Sequence, residues 1–360
     1  MKTNDDLYIR RCFELARKGI GKVSPNPLVG AVIVKSGKVL GEGYHERYGG
    51  NHAEINAIQN ALKNNKDIAG ATLYVNLEPC FHFGKTPPCV DAVIRYKISQ
   101  VVIATKDPNP LVAGKSITKL RKRGIKCRIN VLKKDALRLN EIFFKYISSG
   151  LPYVAIKAAQ TSDGFIARQD GSSKWITNLQ SRKYVHRLRN EYDAVIVGAN
   201  TVIKDDPELT VRHSKGQNPV RVIIDGNFNV PVHRKIFNSD AQTIIYTSIQ
   251  KSKNILEKIR FLEAQRIIVV QFPSKNGTLS MKKVLIDLSQ RKIVSVLIEG
   301  GQKIYTAFLK KNLVDKIFLF TSKKKFNNGI KTFGQEVMKV KKQKKNTQSF
   351  GSDLLEEIYL

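Results

Sequence analysis

The 360-residue sequence lacks the long apolar segments of membrane and secreted proteins. No run approaches the roughly 18 consecutive apolar residues of a membrane span, and no apolar signal region follows the start, Met1-Lys2-Thr3-Asn4. These absences predict a cytoplasmic protein that does not bind membranes.

Cysteine is scarce, and occurs only at positions 12, 80, 89 and 127. In a reducing compartment, a spaced cysteine pair near a histidine binds metal more often than it forms a disulfide. Cys80 and Cys89 form such a pair with His52, whereas Cys12 and Cys127 are interpreted as core or incidental residues.

Acidic residues are few: 30 Asp and Glu face 62 Lys and Arg, which gives a net charge of +32. Such a surplus attracts phosphate backbones. However, lysine runs such as 251–253 and 323–325 are scattered along the chain, without interleaved aromatic residues or a known nucleic-acid motif. We interpret the charge mainly as compositional bias of the kind an AT-rich genome produces, with a small phosphorylated substrate as a partial cause. A functional basic surface is the alternative.

Two short glycine motifs lack the residues of nucleotide-binding loops. Gly114-Lys115-Ser116 matches the end of a phosphate-binding loop, but the required first glycine falls at Asn109. Gly41-Glu42-Gly43 has no third glycine at Glu46 and lies between the strands of a predicted hairpin. Neither motif therefore predicts a nucleotide site.

The length and the apolar periodicity predict two α/β domains. In the first half, a hairpin around Ser36-Gly37 is followed by strands and helices that alternate, which favours a largely parallel sheet covered on both faces. Its last helix is predicted over 134–147, and Gly150-Leu151-Pro152 follows as a linker, so the expected domains are 1–148 and 149–360. No repeat relates the halves, and the polar tail 340–352 carries no clear structural signal.

His52-Ala53-Glu54, Pro79-Cys80 and Cys89 form the pattern that carries the most chemistry. One imidazole and two thiolates leave a zinc ion an open fourth position, and H-x-E followed by P-C is typical of zinc-dependent nucleobase deaminases. Zinc on these ligands would lower the pKa of a water toward about 7, and Glu54 would shuttle its proton. A structural zinc site with His82 as fourth ligand, or unrelated cysteines, is the alternative.

Position supports the same interpretation. His52 and Glu54 can converge on one metal only near a first helical turn, and Cys89 is predicted to open a helix whose dipole favours a thiolate. Both helix starts would lie at the carboxyl edge of the sheet, where open α/β folds bind ligands.

The motifs in the second half of the sequence indicate a function less specifically than those in the first half. Glycines at predicted strand ends would let the backbone approach phosphates, and Arg189 and Arg212 could each grip a phosphate. Turn glycines and surface arginines explain the same residues, and Trp175 could equally be a core anchor.

The motifs together resemble the bifunctional riboflavin-biosynthesis deaminase/reductase family. The deaminase half of that family is matched by SPNPLVG (24–30), HAE (52–54), LEPCFHFGKTPPC (77–89) and DPNPLVAG (107–114). Its reductase half is matched by KAAQTSDG (157–164), SKWIT (173–177), GANT (198–201), DDPELTVR (205–212) and EGG (299–301). The resemblance implies an N-terminal cytidine-deaminase-like three-layer α/β domain and a C-terminal dihydrofolate-reductase-like α/β domain.

The resemblance also implies site residues. In the first half these are the zinc ligands His52, Cys80 and Cys89, the catalytic Glu54, and the substrate contacts Asn26, His82 and Lys85. Contacts to NADPH are implied for Ala159, Trp175, Thr201, Asp205, Gly301, Gln302, Lys303, Ile304, Tyr305, Thr306 and Ala307. Contacts to the substrate of the second domain are implied for Lys157, Ser173, Thr177, Arg189, Leu209, Arg212 and Glu299, with Lys157 near the reacting carbon.

The implied function is a pair of successive reactions. The first domain would deaminate 2,5-diamino-6-(5-phosphoribosylamino)pyrimidin-4-one through zinc hydroxide. The second would use NADPH to reduce the ribosyl side chain of the product to ribityl. The implied assembly is a homo-oligomer, a dimer or tetramer, with no specific nucleic-acid partner. The alternatives are a nucleic-acid base deaminase with a basic accessory domain, and a deaminase whose second domain is structural.

Some residues depart from the family pattern. They are Phe81, Ser116, Ser162, Phe165 and the stretch TSKKKFNNG at 321–329. None of them is among the expected metal ligands.

Overall fold

The structure is a computed structural model, and it describes residues 4–81, 83, 87–173, 175–212, 216–274, 276–334 and 344–360. The chain divides into two compact units, Met1–Gly150 and Leu151–Leu360. None of the helices in these described ranges is long and apolar enough to cross a membrane.

The first unit contains a sheet with helices on both faces. Its helices are α1 (Asn4–Arg17), α2 (Ala53–Lys63), α3 (Cys89–Arg95), α4 (Lys115–Lys122), α5 (Lys133–Leu139) and α6 (Glu141–Ser149). Its strands are β1 (Gly30–Lys35), β2 (Lys38–Tyr44), β3 (Thr72–Val75), β4 (Gln100–Ile103) and β5 (Lys126–Ile129), in the order β2-β1-β3-β4-β5.

The predicted hairpin is confirmed, since β1 pairs antiparallel with β2 and Lys35 lies opposite Lys38. Ser36 and Gly37 both have positive φ, as a two-residue hairpin turn requires. β3, β4 and β5 are parallel, but β1 is antiparallel to β3, so the sheet is less parallel than the alternation of strands and helices predicts.

Alternating side chains of β1 face opposite layers. Ala31 and Ile33 pack in one core cluster with apolar residues of α2, α3 and α4. Val32 and Val34 pack in a second cluster with apolar residues of α1. This period of two produces the expected three-layer arrangement.

The predicted continuous helix over 134–147 is wrong, because the chain breaks at Asn140 between α5 and α6. The Asn140 side chain accepts a hydrogen bond from Leu28 N at 2.7 Å and donates one to Leu28 O at 3.0 Å. A buried amide held by a distant backbone therefore outweighs the local helical pattern.

The second unit contains a larger mixed sheet. Its helices are α7 (Leu179–Glu191), α8 (Ala199–Asp205), a short 3-10 turn (Lys235–Phe237), α9 (Lys253–Ala264), α10 (Met281–Gln290) and α11 (Gln302–Leu309). Its strands are β6 (Tyr153–Gln160), β7 (Phe165–Ala167), β8 (Ala194–Gly198), β9 (Val220–Ile224), β10 (Thr243–Ser248), β11 (Ile268–Phe272), β12 (Ser295–Ile298), β13 (Lys316–Thr321), β14 (Ile330–Lys331), β15 (Lys344–Phe350) and β16 (Asp353–Tyr359).

Within the described ranges, the main sheet has the order β11-β10-β9-β8-β12-β6-β13-β16-β15. The strands from β11 to β13 in that order are parallel, and β16 and β15 extend the sheet as antiparallel strands. β7 and β14 form a separate antiparallel pair.

The part of the polar tail that is described forms structure, contrary to the sequence interpretation. β15 pairs along its length with β16, whose Leu355 and Ile358 are buried. A strand with one neighbour can carry polar side chains, which explains why β15 has no apolar signal.

Parallel pairing brings the carboxyl ends of β6, β8 and β12 to one edge of the sheet. α8 and α11 begin just after β8 and β12, at Ala199 and Gln302. Ala159, Thr201, Glu299 and Gly301, which are expected to bind substrate or cofactor, lie at or just after these strand ends.

Candidate active sites

The three predicted zinc ligands come together in the first unit. Their nitrogen and sulfur atoms all lie within 4.8 Å of one another. His52 is the residue before α2, Cys89 is the first residue of α3, and Cys80 follows β3 in the chain. The structure thus places two ligands at helix starts, as the sequence predicts.

The distances from the histidine nitrogen to the two sulfurs are close to those of a tetrahedral zinc site. The Cys80 and Cys89 sulfurs lie 3.4 Å and 3.3 Å from His52 Nδ1. Zinc bonds of about 2.1 Å to nitrogen and about 2.3 Å to sulfur, at a tetrahedral angle, give roughly 3.5 Å between such atoms. Because Cys89 hydrogen-bonds to Cys80 and lowers the pKa of the Cys80 thiol, this side chain is disposed to be a thiolate.

Glu54 lies beside this ligand set in the first turn of α2 and is 3% exposed. Burial, followed by the charge of Cys80, raises the pKa of Glu54 to about 7. Cys89 also hydrogen-bonds to the Glu54 carboxyl. A carboxyl in this position can hold and release a proton next to the metal ligands.

Close packing of α2 against β2 sets the position of His52 and Glu54. A Cβ on Gly43 would lie 2.3 Å from Ala57 N and 2.6 Å from Ala53 O, which is closer than atoms can approach. Gly41 and Gly43, which do not form a nucleotide-binding loop, therefore allow α2 to pack closely against β2.

Asn26, a predicted substrate residue, is held by a buried histidine that the sequence analysis missed. His45 Nδ1 donates to Asn51 O at 2.9 Å, which leaves Nε2 to accept from Asn26 Nδ2 at 3.1 Å. Burial lowers the pKa of His45, in agreement with this neutral form. The contact directs the Asn26 amide oxygen away from His45. The sequence feature that could have indicated this role is a histidine directly after β2.

The other two predicted substrate residues of the first unit, His82 and Lys85, lie outside the described residues. Phe83, between them in the chain, is 77% exposed.

In the second unit, three predicted substrate residues form a charged cluster, in which Arg189 and Glu299 are buried and Lys157 is partly buried. Arg189 Nε and Nη2 donate to the two Glu299 carboxylate oxygens at 2.6 Å and 2.9 Å. Lys157 Nζ lies 4.0 Å from the same carboxylate. Burial lowers the pKa of Lys157, and the neighbouring Glu299 only partly offsets this effect.

The segment with Leu209 and Arg212 adjoins this cluster. Arg189 Nη1 donates to Thr210 O at 3.0 Å, so three of its nitrogens are engaged. Leu209 is 3% exposed and has φ 54°. The Arg212 guanidinium instead pairs with Glu208 at 2.7 Å and is 51% exposed, so Arg212, rather than Arg189, remains accessible to a phosphate.

The predicted cofactor residues 301–307 form the start of α11. Gly301 has open space where a Cβ would project, and its helix has no side-chain cap. The Thr306 hydroxyl is buried without a partner among the described residues. Uncapped backbone N–H groups at a helix start and an unpaired hydroxyl fit the phosphates of a nucleotide cofactor.

The remaining predicted residues belong to β6, to α8 and to the segment before α7. Ala159 is in β6, and Thr201 and Asp205 are in α8. Ser173 lies in the loop before Trp175. Trp175 is 62% exposed, so it is not a core anchor. It lines a cleft of about 460 Å³ together with Thr177, Arg182, Lys324 and neighbouring residues.

The cleft contains basic side chains, two of which contact Trp175. The Arg182 guanidinium lies 4.3 Å from the Trp175 ring centre, and Lys324 Nζ donates to Trp175 O. Arg182 and Lys324 were not predicted from the sequence. A planar aromatic ring beside two cations suits a nucleotide.

Family models match both halves of the chain. The cytidine and deoxycytidylate deaminase zinc-binding region matches residues 2–105, and the RibD C-terminal domain matches residues 152–355.

Full-length relatives agree. The riboflavin biosynthesis protein RibD of Aquifex aeolicus (strain VF5) is 44% identical over 359 residues, covering 98% of this chain and 97% of the relative. RibD of Escherichia coli (strain K12) is 37% identical, covering 89% and 88%. The crystal structure of a diaminohydroxyphosphoribosylaminopyrimidine deaminase/5-amino-6-(5-phosphoribosylamino)uracil reductase from Thermotoga maritima superposes with TM-score 0.89 at 40% identity and covers 99% and 98%.

Proposed function

Because the chain belongs to the RibD family of bifunctional riboflavin-biosynthesis enzymes, we propose that its first unit carries the deaminase site and its second unit the reductase site. The chain is a bifunctional enzyme with a zinc deaminase domain and a reductase domain. The proposed substrate of the first site is 2,5-diamino-6-(5-phosphoribosylamino)pyrimidin-4-one, in keeping with the name of the Thermotoga relative.

In the deaminase site, His52, Cys80 and Cys89 would hold zinc. When bound, the metal acts as a Lewis acid that lowers the pKa of a water. Glu54 would accept the proton that this water loses and deliver it to the departing amino group, so that ammonia leaves. Asn26, fixed by His45, would direct its amide oxygen to the substrate. The buried position of Glu54 excludes bulk water from this transfer.

In the reductase site, we propose NADPH as the cofactor, with the start of α11 and the basic cleft beside Trp175 as two separate contact regions. The cofactor supplies the hydride, and the protein orients it. Lys157, at the carboxyl half of β6, would face the reacting carbon, with Glu299 and Arg189 fixing its position. Arg212 would meet the substrate phosphate by exchanging its contact with Glu208.

The single observation that carries the proposal is Glu54 buried next to a three-ligand metal set. Full-length Glu54→Gln protein should lose at least about 100-fold in ammonia release from the phosphoribosyl pyrimidine, because it lacks the proton carrier. It should keep its zinc and should still oxidise NADPH with the deaminated substrate.

Glu14→Gln is the matched control, since Glu14 is an exposed carboxylate of α1. Arg212→Ala should give the reverse result, with ammonia release kept and NADPH oxidation weakened. Loss of zinc together with ammonia release in Glu54→Gln would mean that Glu54 is structural and that its proposed role is wrong.

We also propose a cytoplasmic location and a homo-oligomeric state. All four cysteines lie among the described residues and are free, which suits a reducing compartment. The dimer or tetramer rests on the family resemblance, and light scattering of the purified chain tests it.

A further inference from the structure

Helix α4 lies against the chain segment that carries Cys80. The Ser116 side chain is fully buried, and its hydroxyl donates to Pro79 O at 2.6 Å. This carbonyl belongs to the peptide bond that leads into Cys80. The hydrogen bond therefore restrains the backbone immediately before a predicted zinc ligand.

A second contact joins the same helix to the same segment. α4 has no acidic residue in its first turn and no side-chain cap from Gly114. The buried carboxylate of Glu78 takes that place, since it accepts from Gly114 N at 2.9 Å and from Ile117 N at 3.4 Å. Glu78 and Pro79 are thus both anchored on the start of α4.

A third contact reaches the other thiol. Lys119 Nζ pairs with Asp91, which lies in the first turn of α3, two residues after Cys89. The same ammonium lies 5.6 Å from the centre of the Phe81 ring, next to Cys80 in the chain. Phe81 itself packs against the apolar cluster shared by α2, α3 and α4. One lysine therefore contacts the neighbourhoods of both cysteines.

We propose that Ser116 and Lys119 are positioning residues that hold Cys80 and Cys89 in the geometry needed for zinc. This proposal rests on the zinc ligand set proposed above. Neither residue contacts a ligand atom directly; Ser116 acts through the Pro79 carbonyl, and Lys119 through Asp91 and Phe81. Partners beyond the ligands typically change metal affinity by about 10- to 100-fold, because they reduce the reorganisation that binding requires.

The experiment compares the full-length chain with Ser116→Ala, Lys119→Ala and Thr118→Ala. Thr118 is the matched control, because it lies on the same helix and its hydroxyl donates to Gly114 O in an exposed position, away from the cysteine segments. Zinc affinity is measured by chelator competition, and the zinc-free proteins are compared by urea unfolding. Cobalt substitution reports thiolate geometry through the intensity of the sulfur-to-cobalt absorption band.

Ser116→Ala is expected to bind zinc about 10-fold more weakly and to show an altered cobalt band. Lys119→Ala should bind zinc several-fold more weakly, and Lys119→Arg should recover most of that change. Thr118→Ala should match the wild type in all three measurements. A purely structural Ser116 would lower the unfolding midpoint and leave the cobalt band unchanged.

Zinc affinities of Ser116→Ala and Lys119→Ala within twofold of the wild type would refute the positioning roles. If Ser116→Ala does not fold, Lys119→Ala decides, since its side chain is 35% exposed and tolerates truncation. Absence of zinc binding in the wild type would refute the ligand set itself, and with it the proposed deaminase chemistry.

Discussion

The buried Arg189–Glu299 pair allows a quantitative test of the second domain. Glu299→Gln removes the carboxylate charge but keeps the shape of the side chain. It would leave Arg189 with Thr210 O and one amide oxygen as acceptors, without a counter-charge, and near Lys157, a second cation that is partly buried. We expect this substitution to destabilise the second domain by about 4 kcal/mol, because removing one partner of a buried pair typically costs about 3–5 kcal/mol.

The opposite substitution should cost less. Arg189→Met leaves the Glu299 carboxylate 4.0 Å from Lys157 Nζ, so a cation still compensates it. We expect a loss of roughly 3 kcal/mol, at the lower end of the range for broken buried pairs. Glu208→Gln is the control, since its pair with Arg212 is half exposed and should contribute only about 0–1 kcal/mol.

Urea unfolding measures these losses. The sole tryptophan, Trp175, reports on the second unit, and circular dichroism reports on the whole chain. With a slope of about 2–3 kcal/mol per molar urea, the midpoint for Glu299→Gln should fall by roughly 1.5 M. A loss below about 1 kcal/mol, or a greater loss in Arg189→Met, would refute the reasoning that unpaired buried charge dominates.

The same pair gives a dependence on pH. Burial alone would raise the pKa of Glu299. The charge of Arg189, its hydrogen bonds and the charge of Lys157 together outweigh this effect, so the net shift of the pKa is downward. The stabilisation is therefore present above the unfolded pKa of about 4.3 and is lost as the pH falls through the lower folded pKa. The gap between wild type and Glu299→Gln should be constant from neutral pH down to about 5 and shrink below about 4.

Three further substitutions test contacts that position the sites. Gly43→Ala should lower zinc affinity and destabilise the first domain by about 1–3 kcal/mol, measured by zinc titration and urea unfolding, because its Cβ would lie 2.3 Å from Ala57 N. Asn140→Ala should cost about 1–3 kcal/mol in urea unfolding, since it leaves the N–H of Leu28 unpaired, whereas the Leu28 carbonyl keeps its hydrogen bond from the Asn76 amide. Arg182→Met should raise the KM for NADPH several-fold with little change in kcat, because the stacked tryptophan loses about 0.5–1 kcal/mol of cation–π contact; an unchanged KM would place the cofactor elsewhere.

The zinc ligand set could be predicted because its information is local. His52 precedes a helix and Cys89 begins one, so the sequence motif and the helix starts coincide. The parts that the sequence did not predict depend on distant partners. Asn140 breaks a helix through Leu28, 112 residues away in sequence, and no local pattern records that contact. His45 likewise acts on Asn26 only after β1 and β2 have paired.

In the second domain, the partners of charged residues likewise could not be predicted from the sequence. Arg189 was interpreted as a grip for phosphate because a guanidinium suits that geometry. Its actual partner, Glu299, lies 110 residues away and engages it in a bidentate pair. Residue type predicts which groups a side chain can bind. The order of the strands in the sheet determines which of these groups lies within hydrogen-bonding distance. The exposed guanidinium of Arg212 follows from the same argument.

Several of the residues that depart from the family pattern lie near one another in the structure. Ser162 donates from both N and Oγ to Lys324 O, at 2.8 Å and 3.1 Å. These bonds connect Ser162 to the stretch 321–329, which also departs from the family pattern. Phe81 and Ser116 both lie against the Cys80 segment, one beneath Lys119 and the other on Pro79. Each of these departures makes contacts within its own domain, so they are compatible with two intact sites.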